Sequence, residues 1–201
     1  MSLFCLLWVP LFYLLRRSIA GTGSSGSVWA LLLGSITAII QFFLGYFVSP
    51  GGFGLSRFIF GFIDIVSLPV LVPLVLYFLM LIFRGFSGEI DFANFALLWM
   101  IPVAALRAIS WSSSSDPLLL VTVPLLWTAV AAGISFFINL MANSFRWWKT
   151  VFSIPCIFLI PLIAAGAYWA FFSQQTLFGF ILLLAVNIPV ALSLFFDVLR
   201  I

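Results

Sequence analysis

Six apolar stretches, at residues 28–48, 58–83, 92–110, 117–141, 151–172 and 177–196, follow one another with only short connectors between them. Crossing the hydrocarbon core of a bilayer takes about 20 mostly apolar helical residues. Inside that core every backbone N–H and C=O must be satisfied within the protein, which leaves helices and closed barrels as the spanning structures. Runs of this length predict helices. The chain is 65% hydrophobic and only 6% charged, against roughly 25% charged in an ordinary soluble domain. It lacks the polar residues needed to cover a water-facing surface. The expected fold is an all-α integral membrane bundle of six long transmembrane helices, and the whole of 1–201 reads as one transmembrane domain.

A seventh apolar run, residues 2–15, precedes Arg16 and Arg17 and contains Pro10. It is short for a span at about 1.5 Å per residue, so it is expected as a short N-terminal helix that crosses or lies in the interface. Six or seven crossings follow. Its positive charge comes after the apolar run, whereas a signal peptide carries it before. The Gly/Ser-rich 18–27 is a connector. If 2–15 cross, Arg16, Arg17, Arg84, Arg146, Lys149 and Arg200 share one side, while Arg57 and nearby Arg107 mark the other. The positive-inside rule makes the first side cytoplasmic. A bacterial cytoplasmic membrane is the expected location.

Histidine is absent, which removes Ser-His nucleophile pairs and His-based zinc or haem sites. Cys5 and Cys156 have no metal-site spacing. No phosphate loop and no basic patch for nucleic acid occurs, and no cofactor or metal is implied. Asp64 and Arg107 fall inside apolar stretches, where a charge costs about 2.5–3.5 kcal/mol on insertion scales. They read either as an ion or substrate site or as a salt bridge that fixes helix register. Asn187 beside Pro189 could mark a broken helix whose freed carbonyls bind a cation, or a proline kink capped by a side chain. Gln41 and Asn139 read as interhelical hydrogen-bonding groups. Pro69 and Pro73 predict a kink in 58–83.

Gly34, Ala38, Gln41 and Gly45 recur at helical spacing. Such a face lets another backbone approach closely, within the chain or between copies. Arg146, Trp147, Trp148 and Lys149 make a basic aromatic loop, suited to anchoring at the interface or to an anionic lipid headgroup.

The order of parts from 28 to 172 resembles the five-span Yip1-type membrane domain family. The long 58–83 span leads into the turn Arg84-Gly-Phe-Ser-Gly-Glu-Ile-Asp-Phe92. Ile101-Pro102 lies within the next span, Trp127 through Gly133 in the one after, and a basic loop precedes the fifth. The acidic Asp-Leu-Tyr-Gly-Pro signature of eukaryotic members is absent, and residues 2–15 and 177–196 are additional. The resemblance implies a protein that is not an enzyme and implies no catalytic residue. The expected function is that of a subunit or scaffold of a membrane complex, acting through helix–helix contacts with lipids, other membrane subunits or itself. The alternative is a small carrier or channel component moving an ion or solute past Asp64 and Arg107.

Overall fold

The computed structural model describes residues 2–20, 27–47, 59, 62–84, 92–110, 117–142 and 147–199. The described segments are helical apart from the turn at 173–175. In order they are α1 (Ser2–Ala20), α2 (Ser27–Phe47), a π-helical segment (Phe62–Leu71) that runs on into α3 (Val72–Arg84), α4 (Phe92–Ser110), α5 (Pro117–Ala142), α6 (Trp147–Phe172) and α7 (Thr176–Leu199). Among the described residues, three stretches are long and apolar enough to cross a membrane: Phe92–Ile109, Leu118–Met141 and Trp147–Phe172. Val28–Phe43, Ser67–Leu79 and Thr176–Ala191 are shorter apolar helices. The all-α expectation holds, and among the described residues three of seven helices, rather than six, meet that standard.

Two segments depart from the expected layout for identifiable reasons. The N-terminal helix is 19 residues long and passes through Pro10 and the two arginines. At ~1.5 Å per residue it is about 28 Å long. Proline is tolerated inside such helices where neighbours re-satisfy the freed carbonyl. The 58–83 stretch is not one kinked α-helix. Its first part, holding Asp64 and Pro69, is π-helical, and α-helix resumes at Val72, one residue before Pro73. Here the proline-containing stretch takes the wider π-helical turn around Pro69.

The centre of the bundle is the pair α4 and α5. Helices α1 and α2 lie on α4, α1 also touches α5, and α6 and α7 pack on α5 and on each other. Trp99, Phe92 and Phe95 on α4 and Trp127 and Leu126 on α5 are fully buried. Tyr77 links α3 to α4 through ring contacts at 5.5 Å to Phe92 and 6.2 Å to Phe95. The π-helical segment reaches α2, α4, α5 and α6.

Local chemistry sets the relative direction of neighbours. Phe137 meets Phe152 at 6.1 Å, while a Cβ on Gly133 would lie 3.1 Å from Ile160, so α5 and α6 are antiparallel. The α6–α7 turn is closed by Gln174 N–H donating to Phe171 O and Gln175 N–H to Ala170 O. Gln174 has φ 62°. These two bonds and the left-handed residue make a Schellman cap, with glutamine where glycine is usual.

Candidate functional site

Three polar side chains, Trp8, Arg16 and Arg107, reach α5 from neighbouring helices. Trp8 Nε1 of α1 donates to Thr128 Oγ1 at 3.1 Å. That hydroxyl donates in turn to Leu125 O at 3.0 Å. Eight positions further along α1, Arg16 Nη2 donates to Ser135 Oγ at 3.5 Å, and the arginine is only 3% exposed. As α1 advances from 8 to 16, α5 advances from 128 to 135. The two helices therefore run in the same direction.

Arg107 approaches α5 from α4. Its guanidinium carbon lies 5.4 Å from the Trp127 ring centroid, with the arginine 8% exposed and the indole fully buried. Side chains on a helix lean toward its N-terminus. Arg107 sits three residues before the end of α4, so its stem leads away from that end and into the α4–α5 contact. A desolvated cation–π contact is worth about 2 kcal/mol or more, most of the ~2.5–3.5 kcal/mol that a charge at this depth costs.

Asp64 lies in the π-helical segment by its backbone, and its side chain is outside the described set, as are Arg146 and residues 143–146 altogether. The structure thus gives Arg107 an aromatic partner on α5, and the Asp64–Arg107 ion pair falls outside the described residues. Asn187 Nδ2 donates to Leu183 O at 2.8 Å, one turn back, and α7 continues unbroken through Pro189. Of the two readings of Asn187, this is the side-chain cap; the broken helix is absent at that position.

The small-residue face of α2 is turned inward against α4. Gly34, Ala38 and Gln41 are buried. A Cβ at Gly34 would collide with the Trp99 carbonyl oxygen and lie 2.9 Å from Trp99 Cα. These three positions are intramolecular packing. Gly45 lies on the α2 backbone. Asn139, expected to bond between helices, is exposed, so its amide is not part of the core.

Trp147, Trp148 and Lys149 begin α6 instead of belonging to a loop. Trp147 is 78% and Trp148 50% exposed. Lys149 Nζ lies 5.7 Å from the Trp148 ring centroid.

Sequence reasoning missed Arg16, Trp8, Ser153 and Trp99. Arg16 was read as a loop-end charge. Its signal was available, since Val9, which is fully buried, and Arg16 are seven apart and share a helix face. Ser153 Oγ and Trp99 Nε1 are buried without a hydrogen-bond partner among the described residues, and spacing alone offered no warning of either.

Much of the described exterior is apolar. Leu7, Leu11 and Leu14 on α1, Leu32, Ile36 and Phe43 on α2, Phe158 and Leu159 on α6, and Ile181 and Leu184 on α7 are all exposed. Faces of this kind exceed what a water-soluble monomer displays and match hydrocarbon. The chain is an all-helical membrane protein. Compared with protein-family models, curated proteins and solved structures, it matches none.

Proposed function

We propose that the protein is a polytopic membrane subunit or scaffold that acts without catalysis, through helix–helix contacts in a larger membrane assembly. The observation that carries the reading is how three buried or half-buried polar side chains are used. Trp8, Arg16 and Arg107 each reach a residue of α5, which is the use expected of groups that fix helices against one another. The lipid-facing sides of α2, α6 and α7 leave apolar surface for further helices. The Yip1-type order of parts points the same way, toward a protein without an active site.

The parallel course of α1 and α5 supports seven crossings, with α1 spanning in the same sense as α5. The N-terminus is then outside and the C-terminus inside, with Arg17 and Lys149 at the cytoplasmic face of a bacterial inner membrane. A second reading, a small carrier or channel component, is favoured by one observation. The π-helical segment carries Asp64 and touches four helices, and such segments often accompany functional sites.

The test is gentle extraction from the host into native-like lipid discs, followed by mass and composition. Other subunits at fixed stoichiometry would support the assembly reading. A lone monomer would overturn it, and flux in reconstituted vesicles that is lost in Asp64→Asn would put the carrier in its place.

A further inference from the structure

We propose that the first turn of α6 is a binding surface for the phosphate of an anionic phospholipid headgroup, built from Trp147, Trp148 and Lys149. Three observations place it. The α5–α6 pair is an antiparallel hairpin whose connection, 143–146, joins Ala142 to Trp147. The turn that opens α6 therefore lies at one face of the bilayer, within a few residues of the chain reversal. From there Val151, Phe152, Phe158, Leu159 and Leu162 form an exposed apolar stripe down the same helix, which is the lipid-facing side. At ~1.5 Å per residue, 26-residue α6 is about 39 Å long. That exceeds the ~30 Å hydrocarbon core and approaches the ~40–45 Å that includes headgroups. A helix of that length can reach from the acyl chains into the headgroup layer, and the Trp147 end is the one beside the chain reversal.

The side chains at that end suit the headgroup layer. Tryptophan is favoured there because its ring is apolar and its N–H polar. Lys149 rests against the Trp148 ring, which holds its ammonium beside the aromatic face at the level of lipid phosphates. The chain's net charge of +3 favours an anionic partner over a zwitterionic one. The occupant is a membrane lipid rather than a soluble anion, because the site is continuous with the apolar stripe that would cover the acyl chains.

The test uses the full chain in discs of mixed phosphatidylglycerol and phosphatidylcholine, with the retained lipid counted by native mass spectrometry. Wild type is expected to retain phosphatidylglycerol preferentially. Lys149→Gln lowers that retention roughly fivefold, the effect of one basic residue near an anionic surface. Trp148→Ala lowers it roughly two- to fivefold, the range of an exposed cation–π contact. Lys149→Arg keeps it, which guards against misfolding of the first variant. Arg17→Gln, an exposed charge on α1, leaves it unchanged. Equal retention of the two lipids, or an equal loss in Arg17→Gln, would overturn the proposal in favour of general surface charge. Displacement of the lipid by millimolar inorganic phosphate would overturn it in favour of a soluble anion.

Discussion

Gly34 allows a quantitative forecast, because what an added methyl group would meet is known atom by atom. In Gly34→Ala the new Cβ falls on the Trp99 carbonyl oxygen, 2.9 Å from its Cα and 3.0 Å from its carbonyl carbon. All three are backbone atoms in the middle of α4, so no rotamer change relieves the clash. Helix α2 must move outward by several tenths of an ångström or more along its contact with α4. Overpacking a tight core contact costs ~1–3 kcal/mol. The clash itself belongs in the upper part of that range because only backbone can give way, and the ~1 kcal/mol gained in helix propensity from Gly to Ala leaves a net cost of about 2 kcal/mol. Three other glycines calibrate the argument. At Gly179 a Cβ lies 2.9 Å from ring carbons of Phe171; at Gly133 it lies 3.1 Å from the flexible end of Ile160; at Gly166 it makes an ordinary 3.5 Å contact with Leu182. Alanine should therefore destabilise most at 34, less at 179 and little at 133, and at 166 it should be neutral or stabilising. Reversible unfolding of each variant in mixed detergent–lipid micelles, followed by near-UV signal, gives the order. If Gly34→Ala were as stable as Gly166→Ala, the α2–α4 contact would not have the closeness on which this reasoning rests.

A double-mutant cycle of Trp8→Phe and Thr128→Val isolates the hydrogen bond that joins α1 to α5. Its coupling should be ~0.6 kcal/mol, the average for side-chain hydrogen bonds in membranes, and at most ~1.7; a value near zero would mean this bond adds nothing to the docking of α1. At the α6–α7 turn, Gln174→Gly removes the Cβ from a left-handed backbone position and should raise thermal stability by roughly 0.5–1 kcal/mol; Gln174→Val should lower it, and a reversed order would discredit the Schellman cap.

How much of this was legible in the sequence depends on whether the deciding interaction is local. The limits of α4 and α5 fall within a residue of expectation because Asp91, Ser110 and Pro117 mark them through nearby chemistry. The inward face of α2 at Gly34, Ala38 and Gln41 follows from helical spacing, and Asn187 finds its acceptor one turn away. The docking of α1 is a different kind of fact. Its two polar contacts join residues about 120 positions apart, and Pro10 argues locally for an interrupted helix. Only the neighbours α4 and α5 turn that run into a packed element with Arg16 inside it. The π-helical stretch was hidden too, because apolar residues on every side leave no periodicity to distinguish one helical pitch from another. The start of α6 was misplaced by four residues, since Trp147 to Thr150 read as an interfacial loop by charge while their backbone is already helical.

Whether Arg107 is a structural or a transport residue can be decided through Trp127. If the guanidinium is held by the indole, its stabilisation falls when the ring is removed. Trp127→Leu removes the cation–π contact and also shrinks a fully buried side chain, so it destabilises by several kcal/mol through cavity and lost pairing together. Arg107→Met, of similar length but uncharged, removes the need for the contact. The double variant should therefore lose less than the sum of the singles, by about 2 kcal/mol. Asp64→Asn combined with Arg107→Met measures in the same way how far the carboxylate supports the guanidinium. The measurement is unfolding free energy in lipid for all five variants, with vesicle flux recorded alongside. Coupling to Trp127 with unchanged behaviour of Asp64→Asn makes Arg107 part of the frame that sets α4 against α5. A coupling to Trp127 below ~0.5 kcal/mol, together with strong coupling to Asp64 and loss of flux in either single variant, would refute the cation–π account and make the charged pair a pathway.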